Sequence, residues 1–158
     1  MMSNQSDSYV VKASAPVRAA PQRVYAIIAD YRNGHPRILP KQFTSLAVEQ
    51  GGIGDGTVIR FTMRIFGRRF AFRGVVTEPE PGRVLVEENV GDNPSTTTFT
   101  VDRGSTPEEA VVMIATELPY KKGVLGAIEQ FLTTRTLQSI YAQELELLDA
   151  VARQPPLS

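Results

Sequence analysis

The feature that most constrains this chain is a long stretch with helical periodicity, from about residue 124 to residue 152. At 1.5 Å per residue, a helix of this length is on the order of 40 Å long. Charged and amide side chains lie mostly off its apolar side, among them Glu129, Gln138, Glu144 and Glu146. Apolar residues recur three or four positions apart and form one broad stripe: Leu125, Ile128, Leu132, Leu137, Tyr141, Leu145 and Leu148.

The chain before this helix changes to the period of two that is typical of strands. From residue 57 to residue 65, Ile59, Phe61 and Met63 alternate with polar or exposed positions. Strand periodicity begins at residue 42, and Gly67 is predicted to form a hairpin turn before a strand that contains Phe70, Phe72 and Val76. Further strands are predicted at about 9–17, 83–89, 95–102 and 110–118. The segment EPEPG at 78–82 is predicted to be a turn, because two prolines and a glycine cannot sustain a ladder.

Two short helices are expected between the first strand and this meander. Pro21 suits the first position of a helix, and Val24, Ile27 and Ile28 follow at helical spacing. Residues 30–40 contain Asn-Gly and two prolines, which favour a second short, irregular helix or a loop. A meander cannot bury its apolar face alone, and the terminal helix is its large apolar counterpart. The order predicts an α+β domain with a space between sheet and helix.

Composition excludes several classes of site. The 158 residues suit one domain, predicted at 9–152 with tails at 1–8 and 153–158. The chain has no Cys and one His, so we expect no disulfide, no metal site and no cofactor. Seventeen basic and seventeen acidic residues cancel, which argues against nucleic acid as a partner. The N-terminus does not read as a signal peptide, and no apolar run is long enough for a membrane span, so a cytoplasmic monomer or homodimer is expected.

Four segments resemble the START-like, helix-grip superfamily (SRPBCC), and within it the polyketide cyclase/dehydrase and lipid-transport group. They are APQRVYAIIADY at 20–31, GGIGDGT at 51–57, EPGR at 80–83 and ELELL at 144–148. The similarity covers about residues 9–151. It implies a curved antiparallel sheet of about seven strands wrapped around a long C-terminal helix, with two short helices after the first strand. Family members often carry Trp near a Pro after the position of Asp30, whereas this chain has His35-Pro36 and no Trp.

The resemblance also implies an internal cavity that binds a small hydrophobic molecule such as a lipid, a polyketide or an aromatic compound. Pockets of this kind are mostly apolar with a few polar anchors. Ile38, Leu39 and Phe43 are expected at the mouth. Residues predicted to contact ligand within the cavity are Phe61, Met63, Phe70, Phe72, Phe99, Ile128, Leu132 and Arg135. A filled core is the alternative for the apolar members of this set.

Three polar residues are weaker candidates for catalysis: His35, Tyr31 and Arg135. His35 is the side chain that titrates near neutrality, although an Asn-Gly-His-Pro turn commonly exposes it. Arg135 interrupts the apolar side of the helix, where it either extends to solvent or anchors a polar ligand group. These residues support the alternative hypothesis of a polyketide cyclase, dehydratase or aromatase. A further alternative is a protein-interaction module of co-chaperone type that uses Arg60, Arg64, Arg69 and Arg73 as a contact surface.

Overall fold

The structure is a computed structural model that describes residues 7–155. Two α-helices, Pro21–Ala29 (α1) and Gly123–Ala152 (α2), and a short 3-10 helix, His35–Ile38, accompany seven strands. The strands are Ser8–Val17 (β1), Phe43–Gln50 (β2), Val58–Ile65 (β3), Arg68–Glu80 (β4), Val84–Val90 (β5), Ser95–Arg103 (β6) and Ala110–Pro119 (β7). The predicted tails at 1–8 and 153–158 lie partly outside the described residues.

The seven strands form one antiparallel sheet in the order β1-β7-β6-β5-β4-β3-β2. Each strand from β2 to β6 pairs with the next one along the chain, and β1 pairs with β7 and forms the edge opposite β2. The sheet is curved, and the predicted α+β helix-grip architecture is confirmed. The two short helices fill the connection from β1, at one edge, to β2, at the other.

The C-terminal half of α2 supplies the helix side of the core. Leu137, Ile140, Tyr141, Leu145 and Leu148 are buried there. They pack into one apolar cluster with residues of the sheet and of α1, which include Val11, Ile28, Val76, Leu85 and Ile114. In α1 the proline at the first position was predicted correctly, and it leaves no amide unpaired there. The C-terminal half of the predicted stripe therefore packs on the sheet, whereas Leu125, Ile128 and Leu132 of its N-terminal half are exposed.

The prediction of a turn at residues 78–82 was wrong at its N-terminal end. Strand β4 continues through Pro79 to Glu80, and the pairing with β5 shifts register between Thr77 and Glu80. A bulge at this place leaves Pro79 out of the ladder, so its missing N–H costs no hydrogen bond. Pro79 thus lies within the strand, whereas Pro81 lies in the turn that follows it.

The glycine-rich segment 51–57 packs against the C-terminal end of α1 and against β4. The amide of Gly54 donates to the carbonyl of Ala29, and the amide of Tyr31 donates to the carbonyl of Gly52. Gly54 has φ +63, and a Cβ there would lie 2.1 Å from Oε1 of Glu78. Only glycine fits this position without displacing a carboxylate that holds the loop.

Candidate functional site: a pocket between the sheet and the C-terminal helix

A pocket of about 630 Å³ lies between the sheet and α2. One side is formed by side chains of β3 and β4, which point inward by strict alternation. Phe61 and Phe72 stack with ring centroids 5.0 Å apart, and Phe43 packs on Phe61 at 5.8 Å. The opposite side is a single stripe of α2: Leu125, Ile128, Glu129, Leu132, Thr133, Thr136, Leu137, Tyr141 and Glu144.

Burial along this stripe separates the mouth of the pocket from its deep end. Leu125 is 82% exposed and Leu132 is 45% exposed, whereas Glu144 is 2% exposed. Phe66, at the turn between β3 and β4, also lines the pocket and is exposed. The mouth is therefore mainly apolar, with exposed Arg68 and Lys121 beside it, and it opens between the start of α2 and the β3–β4 turn. The pocket runs from there into the interior.

The deep end contains His35, which the sequence placed in a turn of the kind that usually exposes it. The ring is 3% exposed because it stacks on Tyr31, with centroids 4.4 Å apart, and meets Phe99 edge-on. Its Nδ1 lies 2.8 Å from the carbonyl oxygen of Ile28. Because a carbonyl only accepts, Nδ1 carries a proton, and in the neutral ring Nε2 is left as an acceptor.

Two buried carboxyl groups face Nε2 of His35. Oε1 of Glu87, on β5, lies 3.7 Å away, and Oε1 of Glu144, on α2, lies 4.0 Å away. The hydroxyl of Tyr31 donates to Oε1 of Glu87 over 2.5 Å. Burial, with the nearby charge of Glu87, raises the pKa of Tyr31 well above its ordinary value, so this tyrosine stays a donor.

Glu144 is more isolated than Glu87. Its carboxyl group makes no side-chain hydrogen bond within residues 7–155. Burial raises the pKa of Glu144 well above its ordinary value of 4.5, and the charge of Glu87 raises it further. Desolvation disfavours the ionised form, so burial favours the protonated carboxyl group, whose O–H can donate a hydrogen bond.

A chain of hydroxyl groups continues the polar lining. Oγ1 of Thr97 lies 2.8 Å from Oγ1 of Thr116, which lies 2.5 Å from the hydroxyl of Tyr141. Three hydroxyl protons serve two bonds, so one proton remains for another acceptor. Beside them Asn89 donates to Ser95, and its Oδ1 is buried without a hydrogen-bond partner in the described part of the chain.

Most of the predicted ligand contacts line this pocket, and contact itself stays a prediction. The lining includes Leu39, Phe43, Phe61, Met63, Phe70, Phe72, Phe99, Ile128 and Leu132. Ile38 is fully buried in the core instead and does not line the pocket. Of the polar candidates, His35 lines the pocket directly and Tyr31 supports it from behind.

The arginine candidates lie outside the pocket. Arg135 is exposed, and its guanidinium lies 5.7 Å from the ring centroid of Phe131. Arg60 and Arg73 pair across β3 and β4 and share Glu49, at 3.4 and 3.0 Å. The arginine stripe on these strands is exposed and partly neutralised by this carboxylate.

Sequence reasoning missed the two carboxyl groups of the deep end. Glu144 had been placed off the apolar stripe, yet it lies seven positions after Leu137 and three after Tyr141, which is on that stripe. Glu87 alternates with Leu85 and Asn89 on β5, so all three face inward. The signal for Glu144 was its helical phase, and for Glu87 it was the strand alternation.

Two further features are absent from the described residues. Across residues 7–155, no group of three or more His, Cys, Asp or Glu side chains is arranged to hold a metal ion. In the same range, no helix combines the length and the apolar character needed to cross a bilayer.

A curved sheet with a pocket under its long C-terminal helix defines the helix-grip class of proteins. The match to a family model identifies the family within this class. The chain belongs to the family described as "Polyketide cyclase / dehydrase and lipid transport", whose model matches residues 9–153. No curated protein sequence matches the chain.

Solved structures agree with this fold at low sequence identity. The KanY protein, solved by NMR, is 22% identical with a TM-score of 0.81, over 94% of this chain and 99% of that one. The Zhui aromatase/cyclase from Streptomyces sp. R1128 is 12% identical with a TM-score of 0.74, over 92% and 94%. A START superfamily protein from Mycobacterium smegmatis is 16% identical with a TM-score of 0.71, over 92% and 97%.

Proposed function

We propose that this protein binds one small, mostly apolar molecule in the pocket between the sheet and α2. The observation that carries the proposal is the pocket of about 630 Å³ with an apolar mouth and a polar deep end. Sites for small molecules typically occupy about 300–1,000 Å³ and combine apolar walls with a few polar groups. The family includes proteins named for lipid transport, which supports the same reading.

The walls favour a ligand with a flat or chain-like apolar body. The stacked rings of Phe61 and Phe72 present a continuous aromatic surface opposite the leucines of α2. Burying a ligand against such surfaces contributes about 25 cal/mol for each Å² of apolar area removed from water. The polar groups of the deep end would then meet the one polar end of the ligand.

The direct test is titration with N-phenyl-1-naphthylamine, an uncharged dye that fluoresces in apolar surroundings. The chain has no Trp, so background emission is low. We expect saturable binding at one site, and native mass spectrometry should show any molecule that copurifies. Leu132→Trp, which fills the mouth, should weaken dye binding by about tenfold, or about 1.4 kcal/mol.

Phe131→Trp is the matched control, because Phe131 is exposed on the same turn of α2 but does not line the pocket. It should bind the dye like the wild type. Non-saturable binding, or equal effects of the two substitutions, would contradict the proposed site.

A second candidate function is proton transfer on a carbonyl compound, as a polyketide cyclase or dehydratase requires. The cluster of His35, Glu87 and Glu144 at the deep end favours it, because Nε2 of His35 lies 4.0 Å from Oε1 of Glu144. In this scheme Nε2 takes a proton from the carbon beside a ketone, and the freed electron pair moves into the carbonyl. The carbonyl oxygen takes the proton of Glu144, which gives an enol able to attack a second carbonyl.

This second candidate is tested by deuterium exchange into the methyl group of 2-acetonaphthone in D₂O, followed by NMR. Exchange should exceed the buffer rate, and His35→Asn and Glu144→Gln should each lower it by about 10²-fold or more. Glu146→Gln, on the exposed side of α2, is the control. Bound ketone that exchanges no faster than in buffer would refute proton transfer and leave binding as the function.

A further inference from the structure

Glu144 is a buried acid without a partner at the end of a pocket. It is 2% exposed, it lines the pocket, and its carboxyl group makes no side-chain hydrogen bond within residues 7–155. Its oxygens are not among the fully occluded unpaired atoms of the described residues, which agrees with their position at the pocket. The carboxyl group of Glu144 can therefore form a hydrogen bond with a ligand in the pocket.

The groups around Glu144 determine which form of the acid is present. Glu87 faces it from β5, His35 from the 3-10 helix, Tyr31 from the segment before that helix, and Tyr141 from α2 itself. Burial, then the charge of Glu87, raises the pKa of Glu144, so the protonated form is favoured. The nearest protein acceptor, Nε2 of His35 at 4.0 Å, is too distant for a hydrogen bond.

No fixed cation lies at the deep end. Among the described residues that line the pocket, the Lys and Arg side chains are Lys121 and Arg68, both exposed near the mouth. A ligand carboxylate at the deep end would lose its hydration and would lie beside Glu87 without a Lys or Arg to neutralise it. Burial of such an ion is strongly unfavourable.

We propose that the carboxyl group of Glu144 donates a hydrogen bond to an uncharged oxygen of the ligand, a ketone, hydroxyl or phenol, and so selects neutral ligands over carboxylates. This rests on the proposed binding function and names its ligand class. The ligand is thus a largely apolar molecule with a neutral oxygen at one end.

The first test compares three probes that share one ring system: 2-acetonaphthone, 2-naphthol and 2-naphthoate. Their dissociation constants are measured by calorimetry near neutral pH. The ketone and the phenol should bind at least about tenfold more tightly than the carboxylate. Equal or tighter binding of 2-naphthoate would overturn the proposal.

Two substitutions of Glu144 test whether its hydrogen-bond donor, rather than its ability to ionise, determines the affinity for the ketone. Glu144→Gln keeps an N–H donor and should hold the affinity for 2-acetonaphthone within about threefold, whereas Glu144→Leu, which removes the donor, should lower it by about tenfold. Glu146→Gln is the matched control on the same helix, since Glu146 is exposed. Unchanged ketone affinity in Glu144→Leu would overturn the proposal.

A pH series gives a readout that a purely structural role would not change. Affinity for 2-acetonaphthone should fall as pH rises through the raised pKa of Glu144, because only the protonated acid donates. The Glu144→Gln variant should lose this dependence while it retains His35. If the dependence persists in that variant, it belongs to another group and Glu144 is not the donor.

Failure of ligand binding and failure of selection by Glu144 would give different results. If the neutral probes and N-phenyl-1-naphthylamine all fail to bind, the binding function and the inference on Glu144 are both overturned. If the dye and all three naphthalenes bind with equal affinity, the pocket is a binding site and only the selection of neutral ligands is overturned.

Discussion

Nε2 of His35 and Oε1 of Glu144 face each other across 4.0 Å at the buried end of the pocket, and no hydrogen bond joins them. They come from the 3-10 helix after α1 and from the last third of α2, more than one hundred residues apart in sequence. Their separation is too long for direct proton transfer but short enough for one ligand oxygen to approach both. With a neutral His35 ring and a protonated Glu144, these two atoms are one acceptor and one donor that the protein itself does not pair.

Replacing Glu144 by Gln should stabilise the protein increasingly as pH rises. The pKa of Glu144 is raised in the folded state, so between the ordinary value of 4.5 and the folded pKa the folded state retains a proton that the unfolded state has released. Stability of the wild type then falls with pH by at most about 1.4 kcal/mol per pH unit. The Glu144→Gln variant does not lose stability in this way, because Gln does not ionise.

Urea unfolding from about pH 4 to pH 8 measures this difference. The increase in the free energy of unfolding caused by Glu144→Gln should be small near pH 4 and should become larger as pH rises. The difference between Glu146→Gln and the wild type should not change with pH, because Glu146 is exposed. A constant offset across the series would mean that Glu144 is ionised in the folded protein.

Removing the hydroxyl of Tyr31 should destabilise the fold. Tyr31 is 1% exposed and donates to Oε1 of Glu87, so Tyr31→Phe leaves a buried carboxyl oxygen without this donor. The expected loss is about 1–3 kcal/mol in the free energy of unfolding. Tyr120→Phe, at a half-exposed tyrosine, serves as control, and equal stability of the two variants would show that the bond contributes nothing.

Alanine substitutions at two adjacent leucines of α2 test which face of the helix packs against the sheet. Leu148 is 1% exposed and belongs to the core, whereas Leu147 is 36% exposed. Leu148→Ala should cost about 2–5 kcal/mol in chemical denaturation, because it removes buried methyl groups and leaves a cavity. Leu147→Ala should cost clearly less, and the reverse order would mean that α2 presents a different face to the sheet.

Alanine substitutions at Gly54 and Gly82 distinguish the effect of backbone strain from that of steric clash. Both have positive φ, +63 and +87, so an alanine at either position is strained by about 1 kcal/mol. Only at Gly54 would the new Cβ meet a neighbour, Oε1 of Glu78 at 2.1 Å. Gly54→Ala should therefore cost about 1–3 kcal/mol more than Gly82→Ala in thermal or urea unfolding.

The extent of prediction from sequence differed between the fold and the site. Alternation around Phe61 and the stripe around Leu145 are local patterns, and they were sufficient to predict strands and a long helix. The arrangement of the curved sheet around the helix followed from the family resemblance. Pro79 was misassigned to a turn because a bulge depends on pairing with β5, which local composition does not record. Burial of His35 depends on Tyr31, Phe99 and the carbonyl of Ile28, whose approach is a product of the tertiary fold.

The two halves of α2 differ in how they are held, and this has a kinetic consequence. Residues 137–152 supply the helix's share of the apolar core, whereas 123–136 carry exposed Val124, Leu125 and Phe131. Backbone amides are protected from hydrogen exchange where opening must disrupt a core, and less where it does not. We therefore expect exchange with D₂O to proceed inward from Gly123. The open mouth of the pocket borders these first turns, so a ligand that enters there would pass the part of α2 that the core holds least.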